Sequence, residues 1–566
     1  MNIKQAKEYI KDCVRIYLKK DEFGEYRVPI VRQRPIFLLG APGIGKTAIM
    51  EQIAQELGIA LVSYSMTHHT RQSALGLPFI CKKEYGGQTY DVSEYTMSEI
   101  IASVYETMEA SGIREGILFL DEINCVSETL APSMLQFLQY KVFGRHQVPE
   151  GWVVVTAGNP PEYNKSVREF DVVTLDRLKV LDVEADYRIW KEYAGEQGVH
   201  SAILNYLELK KEHFYRIEAS MKGKTYVTAR GWEDLSETLH LYEEEGMAVE
   251  EELIRQYIRN EKIAKEFAAY YDLYNKYKRD YRIDQILAGS APESAGARAA
   301  KAPFDERLSL VGMLLDKIQS EMREVIETAD YLKELTISLK AVKALLEREA
   351  GAGSRADNTL LERETGVGGR ADKALPEQET DTRSGVKEQA GTDKKQAGAL
   401  EQEKLLRRLL EEQTARLEKK LEGQQRAGSL SKSDRRREKR VIAFLQAEAK
   451  RCLLEESDTN VINGGTEVSV TNGFAGVEQR FNERVAAMKQ ETAEAGARLH
   501  NVFAFLEKVF PDGNEMLIFV TELTVNDYSA RFIGMFGSED YRRHNEKLMI
   551  SERKNELQEE IAALSL

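Results

Sequence analysis

The N-terminal half of the chain contains three nearly continuous apolar runs of strand length. They cover residues 35–39, 116–120 and 152–157. An apolar run of this kind is typical of a strand that is buried on both faces of a parallel sheet. Ahead of these runs, apolar residues at helical spacing predict a charged amphipathic helix: Ile3, Ala6, Ile10, Cys13 and Tyr17. The pattern therefore predicts an α/β domain in this half of the chain.

The C-terminal half has a different periodicity, in which apolar residues recur at alternating steps of three and four. One such seam consists of Leu308, Val311, Leu315, Ile318, Met322, Val325, Ala329, Leu332 and Leu339. A second consists of Phe481, Val485, Met488, Ala495, Leu499, Val502, Leu506 and Val509. Shorter helical stretches cover residues 405–421 and 437–454. Heptad seams either pair within the chain or dock on a partner, and we favour pairing within the chain.

Residues 350–400 separate the two seams and have the composition of a disordered linker. They are rich in Gly, Ala, Glu, Lys, Asp and Thr and contain almost no aromatic residues. Such a segment cannot bury enough surface to offset the entropy of ordering. The pattern at residues 355–365 recurs imperfectly at residues 370–380, which is typical of low-complexity sequence.

The loop that follows the first apolar run is rich in glycine and ends in a lysine and a threonine. It consists of Gly40, Ala41, Pro42, Gly43, Ile44, Gly45, Lys46 and Thr47. Between a strand and a helix, the backbone N–H groups of such a loop point at an anion, Lys46 reaches the β- and γ-phosphates, and Thr47 binds Mg²⁺. The alternative is an ordinary glycine-rich turn, which the preceding strand disfavours. We therefore predict a site for a nucleoside triphosphate.

Polar residues follow the other two apolar runs. Asp121 and Glu122 come directly after residues 116–120, and Asn159 comes shortly after residues 152–157. Asp121 is placed to complete the Mg²⁺ shell, and Glu122 is placed to polarise the attacking water. Asn159 can hold that water or the γ-phosphate without competing for the proton. Each residue alone is also compatible with a solvated turn, but together they predict a hydrolytic site.

These elements resemble the Walker A, Walker B and sensor-1 motifs of an AAA+ ATPase. Residues 175–178 resemble the segment that carries the arginine finger, with Arg177 in that place. Residues 228–232 resemble the start of the helix that carries the sensor-2 arginine, with Arg230 in that place. The resemblance implies ATP and Mg²⁺ as ligands. It also implies that both arginines stabilise the charge of the γ-phosphate during hydrolysis. The alternative for each arginine is a surface salt bridge.

Among AAA+ proteins the chain is most similar to the MoxR-like group over about residues 30–285. The similarity rests on residues 75–78 (LGLP), on the helix at residues 135–139 and on residues 148–152 (VPEGW). In that group a hairpin faces the axis of the ring. Residues 78–92 contain a Gly-Gly pair between two extended runs and predict such a hairpin. Its Tyr85 either contacts a partner or lies on an ordinary surface hairpin.

The expected fold is thus a P-loop NTPase parallel sheet flanked by helices with an α-helical lid. An all-α, partly coiled-coil C-terminal region with a disordered insert follows it. The expected segments are a nucleotide-binding α/β domain, a helical lid, a long helix, the linker and a helical C-terminal region, at residues 1–183, 184–290, 304–347, 350–400 and 401–566.

The resemblance implies a chaperone-like ATPase that remodels a protein client, with a von Willebrand factor A domain as the expected partner module. Because Arg177 would act on the neighbouring subunit, the protein is expected to form a homo-oligomeric ring, with six subunits as the expected number. Two alternatives stay open. One is a nucleic-acid motor or restriction-type translocase on the same ATPase core. The other is a nucleotide-gated scaffold with little turnover.

The composition of the chain agrees with the expectation of a cytoplasmic protein. The 566 residues carry a net charge of −14, and no apolar stretch reaches the ~20 residues that span a bilayer. The first residues are charged, unlike a signal peptide, and the four cysteines lack metal-ligand spacing. Two segments rich in basic residues, 267–281 with interleaved tyrosines and 435–440, are interpreted as a packed helix face and a solvated helix start. A nucleic-acid partner is therefore not favoured.

Overall fold

The computed structural model describes residues 1–68, 72, 74, 76–143, 145–163, 167–220, 223–364, 384–458, 473–511 and 513–547. The chain folds into two compact units. The first unit comprises Met1–Glu324, Gly423–Ser431 and Ala493–Leu566. The second unit comprises Val325–Glu422 and Lys432–Thr492.

The centre of the first unit is a five-stranded parallel sheet. Its strands are β1 (Ile36–Gly40), β2 (Ala60–Ser65), β5 (Gly116–Asp121), β8 (Trp152–Gly158) and β9 (Lys179–Val183). Their order in the sheet is β2-β5-β8-β1-β9. Ser65 lies opposite Asp121, and Leu39 lies opposite Gly158. This register aligns the carboxyl ends of the strands at one edge. The three predicted strands and the parallel α/β architecture are confirmed.

Both faces of the sheet are covered, which explains why the three central strands β1, β5 and β8 are apolar without alternation. Ile117 and Phe119 of β5 pack into a core with α1 (Ile3–Tyr17) and α2 (Lys46–Leu57). Leu118 and Leu120 point to the opposite face and pack into a second core. That second core is covered by the helices Glu99–Ser111 and Ala131–Tyr140.

The predicted N-terminal helix is confirmed as α1. Asn2 and Gln5 form a capping box, in which each side chain accepts a hydrogen bond from the backbone N–H of the other. The buried side of α1 consists of Ala6, Ile10, Cys13, Val14 and Tyr17. Ile16 points away from this face and is exposed.

Three antiparallel hairpins accompany the sheet in the described part of the first unit. They are β3 (Pro78–Tyr85) with β4 (Gln88–Tyr95), β6 (Val142–Phe143) with β7 (His146–Gln147), and β10 (Arg216–Ser220) with β11 (Gly223–Val227). Gly86 and Gly87 both have positive φ at the turn between β3 and β4, so the predicted hairpin is confirmed. The hairpin β10–β11 was not expected, because residues 184–290 were predicted to be helical only.

The rest of the described first unit after the sheet is largely helical. Its helices are Tyr187–Gln197, Ser201–Leu209, Ala229–Glu244, Glu251–Tyr257, Glu261–Tyr281, Ile283–Leu287, Glu293–Lys301, Asn514–Val525 and Asp527–Phe536. Phe267, Tyr274, Tyr277 and Tyr281 are buried on one face of their helix, which confirms that these aromatic residues form a packed face. Ala427, from the short segment 423–431, is buried in the core beside the sheet, and its carbonyl accepts a hydrogen bond from the Leu61 N–H at 2.8 Å.

Long helices form the C-terminal half of the chain. They are Phe304–Glu364, Ser384–Arg426, Lys432–Asp458 and Phe474–Val509. The first extends beyond the predicted bounds 304–347, and together with the second it enters the segment 350–400 that was predicted as a linker. Residues 365–383 of that segment lie outside the described residues. The helices thus reach further than predicted on both sides, and the linker stays a prediction for the residues between them.

The second unit has its own apolar core, built from these long helices. Leu335, Leu339, Leu409, Leu410 and Leu445 belong to it. In the first unit the other ends of the two seams are also buried, among them Leu315, Leu499 and Val502. Leu332 and Leu339 of the first seam lie in the core of the second unit, and Phe481, Val485 and Met488 of the second seam pack against it. Pairing of the seams within the chain is therefore confirmed in the second unit. Among the described helices none is long and apolar enough to cross a membrane.

The packing of α1 on the sheet predicts how two isoleucines of that helix differ. Ile10 is 0% exposed, whereas Ile16 is 58% exposed. Ile10→Ala should lower the free energy of unfolding of the first unit by about 2–5 kcal/mol because it leaves a cavity. Ile16→Ala, the matched control, should change it by less than about 0.5 kcal/mol. The measurement is urea unfolding followed by tryptophan fluorescence, since the three tryptophans of the chain all lie in the first unit. Equal effects of the two substitutions would contradict the packing of α1.

Candidate functional site

A cleft of about 680 Å³ opens at the carboxyl ends of the strands. Its floor is the loop between β1 and α2 together with Asp121, Glu122 and Asn159. Its walls come from α1, from the helix Tyr187–Gln197 and from the start of the helix Ala229–Glu244. The structure thus brings the predicted strand-end residues together around one cavity.

The backbone of the loop depends on two glycines. Gly43 has φ +74° and Gly45 has φ +92°, a region that L side chains rarely adopt. A Cβ at Gly43 would also lie 3.1 Å from Cβ of Thr228. Gly45 is the N-cap residue of α2, so the free N–H groups of the first turn of α2 are directed to the cleft.

Lys46 is buried at the bottom of this loop, with 8% of its surface exposed. Its Nζ donates hydrogen bonds to the carbonyls of Gly40 at 2.7 Å and Ala41 at 2.9 Å, and to Oδ1 of Asn159 at 2.9 Å. Burial lowers the pKa of Lys46 to about 8, and the charge of Arg230 also lowers it, although Asp121 and Glu122 oppose the shift. Three neutral oxygens therefore hold the Lys46 ammonium in the cleft, and no carboxylate is among these three acceptors.

Thr47 and Asp121 form the second contact of the site. Oγ1 of Thr47 donates to Oδ2 of Asp121 at 3.0 Å, and the backbone N–H of Glu122 donates to Oδ1 of Asp121 at 2.8 Å. A hydroxyl and a carboxylate beside a phosphate site are suitable ligands for Mg²⁺, which uses one or two protein oxygens together with phosphates and waters. The residues present therefore fit a magnesium ion.

Glu122 has an uncommon backbone conformation for a residue with a side chain, with φ +57° and ψ +35°. Such a conformation costs on the order of 1–3 kcal/mol and is concentrated at functional sites. Oε2 of Glu122 accepts hydrogen bonds from Oγ of Ser65 at 3.1 Å and from Oγ1 of Thr67 at 3.0 Å. These two hydroxyls, at the end of β2, fix the direction of the carboxylate. Sequence reasoning missed them because hydroxyl residues at the end of a strand and in the turn after it are too common to be a motif.

Asn159 is held from two sides. Its side-chain oxygen accepts from Lys46, and its backbone carbonyl accepts from Nδ2 of Asn124 at 2.8 Å. Asn124 was also missed by sequence reasoning. Its one available signal was its position two residues after Glu122, within the turn that follows β5.

The two predicted arginines lie in different places. Arg230 is the second residue of the helix Ala229–Glu244, whose N-cap Thr228 accepts the backbone N–H of Gly231 at 3.2 Å. It lines the cleft and is exposed to solvent. Arg177 lies outside the cleft of its own chain, and its guanidinium donates to Oε1 of Gln139 at 2.7 Å. The structure therefore brings Arg230, but not Arg177, to the phosphate loop.

A family model supports the same assignment. Residues 36–173 match the ATPase family associated with various cellular activities, AAA. The match begins at β1 and includes the loop 40–47, the pair Asp121 and Glu122, and Asn159. It supports an AAA+ ATPase, and thereby a nucleotide-binding domain with ATPase activity in this part of the chain. A search of curated proteins found no match.

The buried cation predicts that ATP binding takes up a proton above neutral pH. The pKa of Lys46 is about 8 in the free protein, and bound phosphates raise it because they favour the ammonium form. Binding should therefore take up a larger fraction of a proton at pH 8.5 than at pH 7. The apparent affinity for ATP should accordingly fall as the pH rises through 8.

Titration calorimetry in two buffers of different ionisation enthalpy measures this uptake. The comparison between pH 7 and pH 8.5 is the internal control, because the same protein and ligand are used. Binding heats at pH 8.5 that do not depend on the buffer would contradict the lowered pKa of Lys46 in the free protein.

Proposed function

We propose that this protein is an ATP-hydrolysing, chaperone-like remodeller of a protein client, of the MoxR-like kind, which works as a closed ring. The observation that carries the proposal is the convergence of Lys46, Asp121, Glu122 and Asn159 at one cleft. These residues lie on separate elements of the chain, and their roles in hydrolysis are complementary.

The proposed reaction is the attack of water on the γ-phosphorus of ATP. The backbone N–H groups of the loop and Lys46 hold the phosphates, and Glu122 accepts the proton of the attacking water as the bond from the γ-phosphorus to the bridging oxygen breaks. Asn159 orients that water through its neutral amide. Mg²⁺, held by Thr47 and Asp121, supplies positive charge to the phosphate oxygens when it is bound.

Two contacts must change for this reaction to proceed. Lys46 donates to Asn159, and Glu122 accepts from Ser65 and Thr67. A phosphate that takes the ammonium of Lys46 releases the Asn159 amide for the water. A water that approaches Glu122 from the cleft competes with the two hydroxyls for the carboxylate. Arg230, on the wall of the cleft, adds positive charge on the side of the lid.

Features of the segment that carries Arg177 support a ring. Val172 is 81% exposed and Val173 is 60% exposed, which is unusual for two adjacent β-branched apolar residues and marks a surface suited to contact. Arg177 follows them and lies outside the cleft of its own chain. A contact between this segment and the cleft of a second copy is heterologous, and it gives a ring where the rotation between copies closes. A closed ring is proposed, with six subunits as the expected number.

The hairpin β3–β4 supports a protein client. Phe79, Ile80, Tyr85 and Tyr90 are exposed on it, and exposed aromatic residues favour contact with polypeptide. A client with a von Willebrand factor A domain is proposed from the resemblance to the MoxR-like group alone. Stimulation of ATP turnover by DNA would instead favour the nucleic-acid motor.

Glu122→Gln tests the proposed reaction. The amide cannot accept the proton of the attacking water, so the variant should bind ATP with native affinity while kcat falls by about 10²–10⁴-fold. Glu128→Gln, a nearby exposed glutamate, is the matched control and should retain full turnover. Phosphate release reports kcat, and a fluorescent ATP analogue reports binding. Normal hydrolysis by Glu122→Gln would refute the assignment of Glu122 as the base.

Lys46→Ala should abolish ATP binding, because the phosphates lose the cation that binds them. The fluorescent ATP analogue measures this loss.

Arg177→Ala tests the ring. The variant should bind ATP normally and hydrolyse it poorly, since arginines supplied in trans contribute up to about 10³–10⁵ in rate. Arg259→Ala, an exposed arginine of the helical region, is the control and should behave as the native protein.

Mixing Arg177→Ala with Glu122→Gln subunits gives a sharper result. In a random mixture about a quarter of the sites combine an intact Glu122 with an intact Arg177 from the neighbour. Activity should therefore reappear on mixing. A fully active native monomer in light scattering, without rescue on mixing, would refute both the ring and the role of Arg177.

A further inference from the structure

Asn124 is a buried polar residue with no role in the reaction described so far. It lies in the single-turn 3₁₀-helix Ile123–Cys125, directly after Glu122, and is 4% exposed. Burying a side-chain amide is costly unless its hydrogen-bonding groups are satisfied. The contacts of this amide therefore indicate what the site requires of it.

The main contact of the Asn124 side chain is with the carbonyl of Asn159. Nδ2 of Asn124 donates to this oxygen at 2.8 Å, and Sγ of Cys125 lies 4.0 Å from Oδ1 of Asn124. The backbone of Asn124 is fixed in turn, because its carbonyl accepts the backbone N–H of Arg168 at 2.9 Å. A rigid turn thus holds the Asn159 peptide group from behind.

Gly158 shows how closely this amide is packed. A Cβ at Gly158 would lie 2.4 Å from Oδ1 and 2.7 Å from Cγ of Asn124. No methyl group fits there while Asn124 keeps its place. The amide of Asn124 therefore packs directly against Gly158, the last residue of β8.

The side chain of Asn159 lies at the phosphate site, where its Oδ1 accepts a hydrogen bond from Lys46. We propose that Asn124 is a positioning residue of ATP hydrolysis, which fixes the Asn159 peptide and thereby holds the Asn159 side chain at the phosphate site. There the side chain contacts Lys46 before ATP binds and the attacking water afterwards. This inference rests on the proposed function. Aspartate at position 124 would lose the donor and add a charge beside Asp121 and Glu122. An aliphatic residue would leave the Asn159 carbonyl unpaired.

Three variants separate positioning from simple space filling: Asn124→Ala, Gly158→Ala and the double variant. Asn124→Ala should lower kcat by about 10²-fold, as expected for a misplaced catalytic group, while KM for ATP stays within about threefold. Gly158→Ala should lower both kcat and the melting temperature, because its methyl group displaces the amide. In the double variant the methyl group occupies the space that the amide leaves.

The double variant is therefore decisive. It should regain thermal stability relative to Gly158→Ala and still hydrolyse ATP slowly, because the hydrogen bond to the Asn159 carbonyl is missing. Native turnover in the double variant would overturn the proposal, because filled space alone would then suffice. Native turnover in Asn124→Ala would overturn it too, because hydrolysis would then not require the hydrogen bond to the Asn159 carbonyl. If Asn124→Ala does not fold, the comparison between the double variant and the native protein still gives this answer.

Hydrogen exchange at residues 157–159 of the full-length protein, measured with and without Asn124→Ala, reads the contact independently of turnover. Exchange should accelerate in the variant. A native protein that binds ATP without hydrolysing it would refute the proposed function, and accelerated exchange would still support the contact. If Asn124→Ala hydrolyses ATP as fast as the native protein, the proposed function stands and the positioning role is refuted.

Discussion

The buried ammonium of Lys46 is the constraint around which the site is arranged. A cation out of water is tolerated only where it is well supplied with hydrogen-bond acceptors. The loop carbonyls of Gly40 and Ala41 provide two, and Asn159 provides the third. The loop must therefore fold tightly around the lysine, which requires the positive φ of Gly43 and Gly45. Burial lowers the pKa of Lys46, and an anion in the cleft stabilises the ammonium form.

Much of this arrangement can be predicted from sequence because a parallel sheet aligns its strand ends. Strands buried on both faces are continuous apolar runs, and polar residues that directly follow them must lie at one edge. That reasoning suffices for Asp121, Glu122 and Asn159. It fails for Ser65 and Thr67 because the strand order, with β2 beside β5 and Ser65 opposite Asp121, is not written in the order of the chain. It fails for Asn124 because the role of this turn residue depends on its contact with Asn159 in the folded chain, which no sequence pattern indicates.

The helical half shows a similar division. The heptad steps identify which face of each helix is buried, as for Leu332 and Leu339. They do not identify the partner, because a leucine face fits many others. The contacts with Leu409, Leu410 and Leu445 depend on helix lengths and on turns whose residues carry no periodic signal. The hairpin β10–β11 was missed for a related reason, since two five-residue strands are too short to show alternation clearly.

The contacts of Glu122 and Lys46 suggest how binding and chemistry are linked. Each of the two groups that act on ATP already has a polar partner on the protein: Asn159 for Lys46, and the hydroxyls of Ser65 and Thr67 for Glu122. The fold holds these partners in place. The carbonyl of Asn159 accepts a hydrogen bond from Asn124, and the backbone N–H of Glu122 donates one to Asp121. Phosphates that replace Asn159 at Lys46 therefore change hydrogen bonds rather than backbone positions. The carboxylate, the amide and the ammonium are set in place by the fold before the substrate arrives, which is the arrangement that lowers the reorganisation needed for hydrolysis.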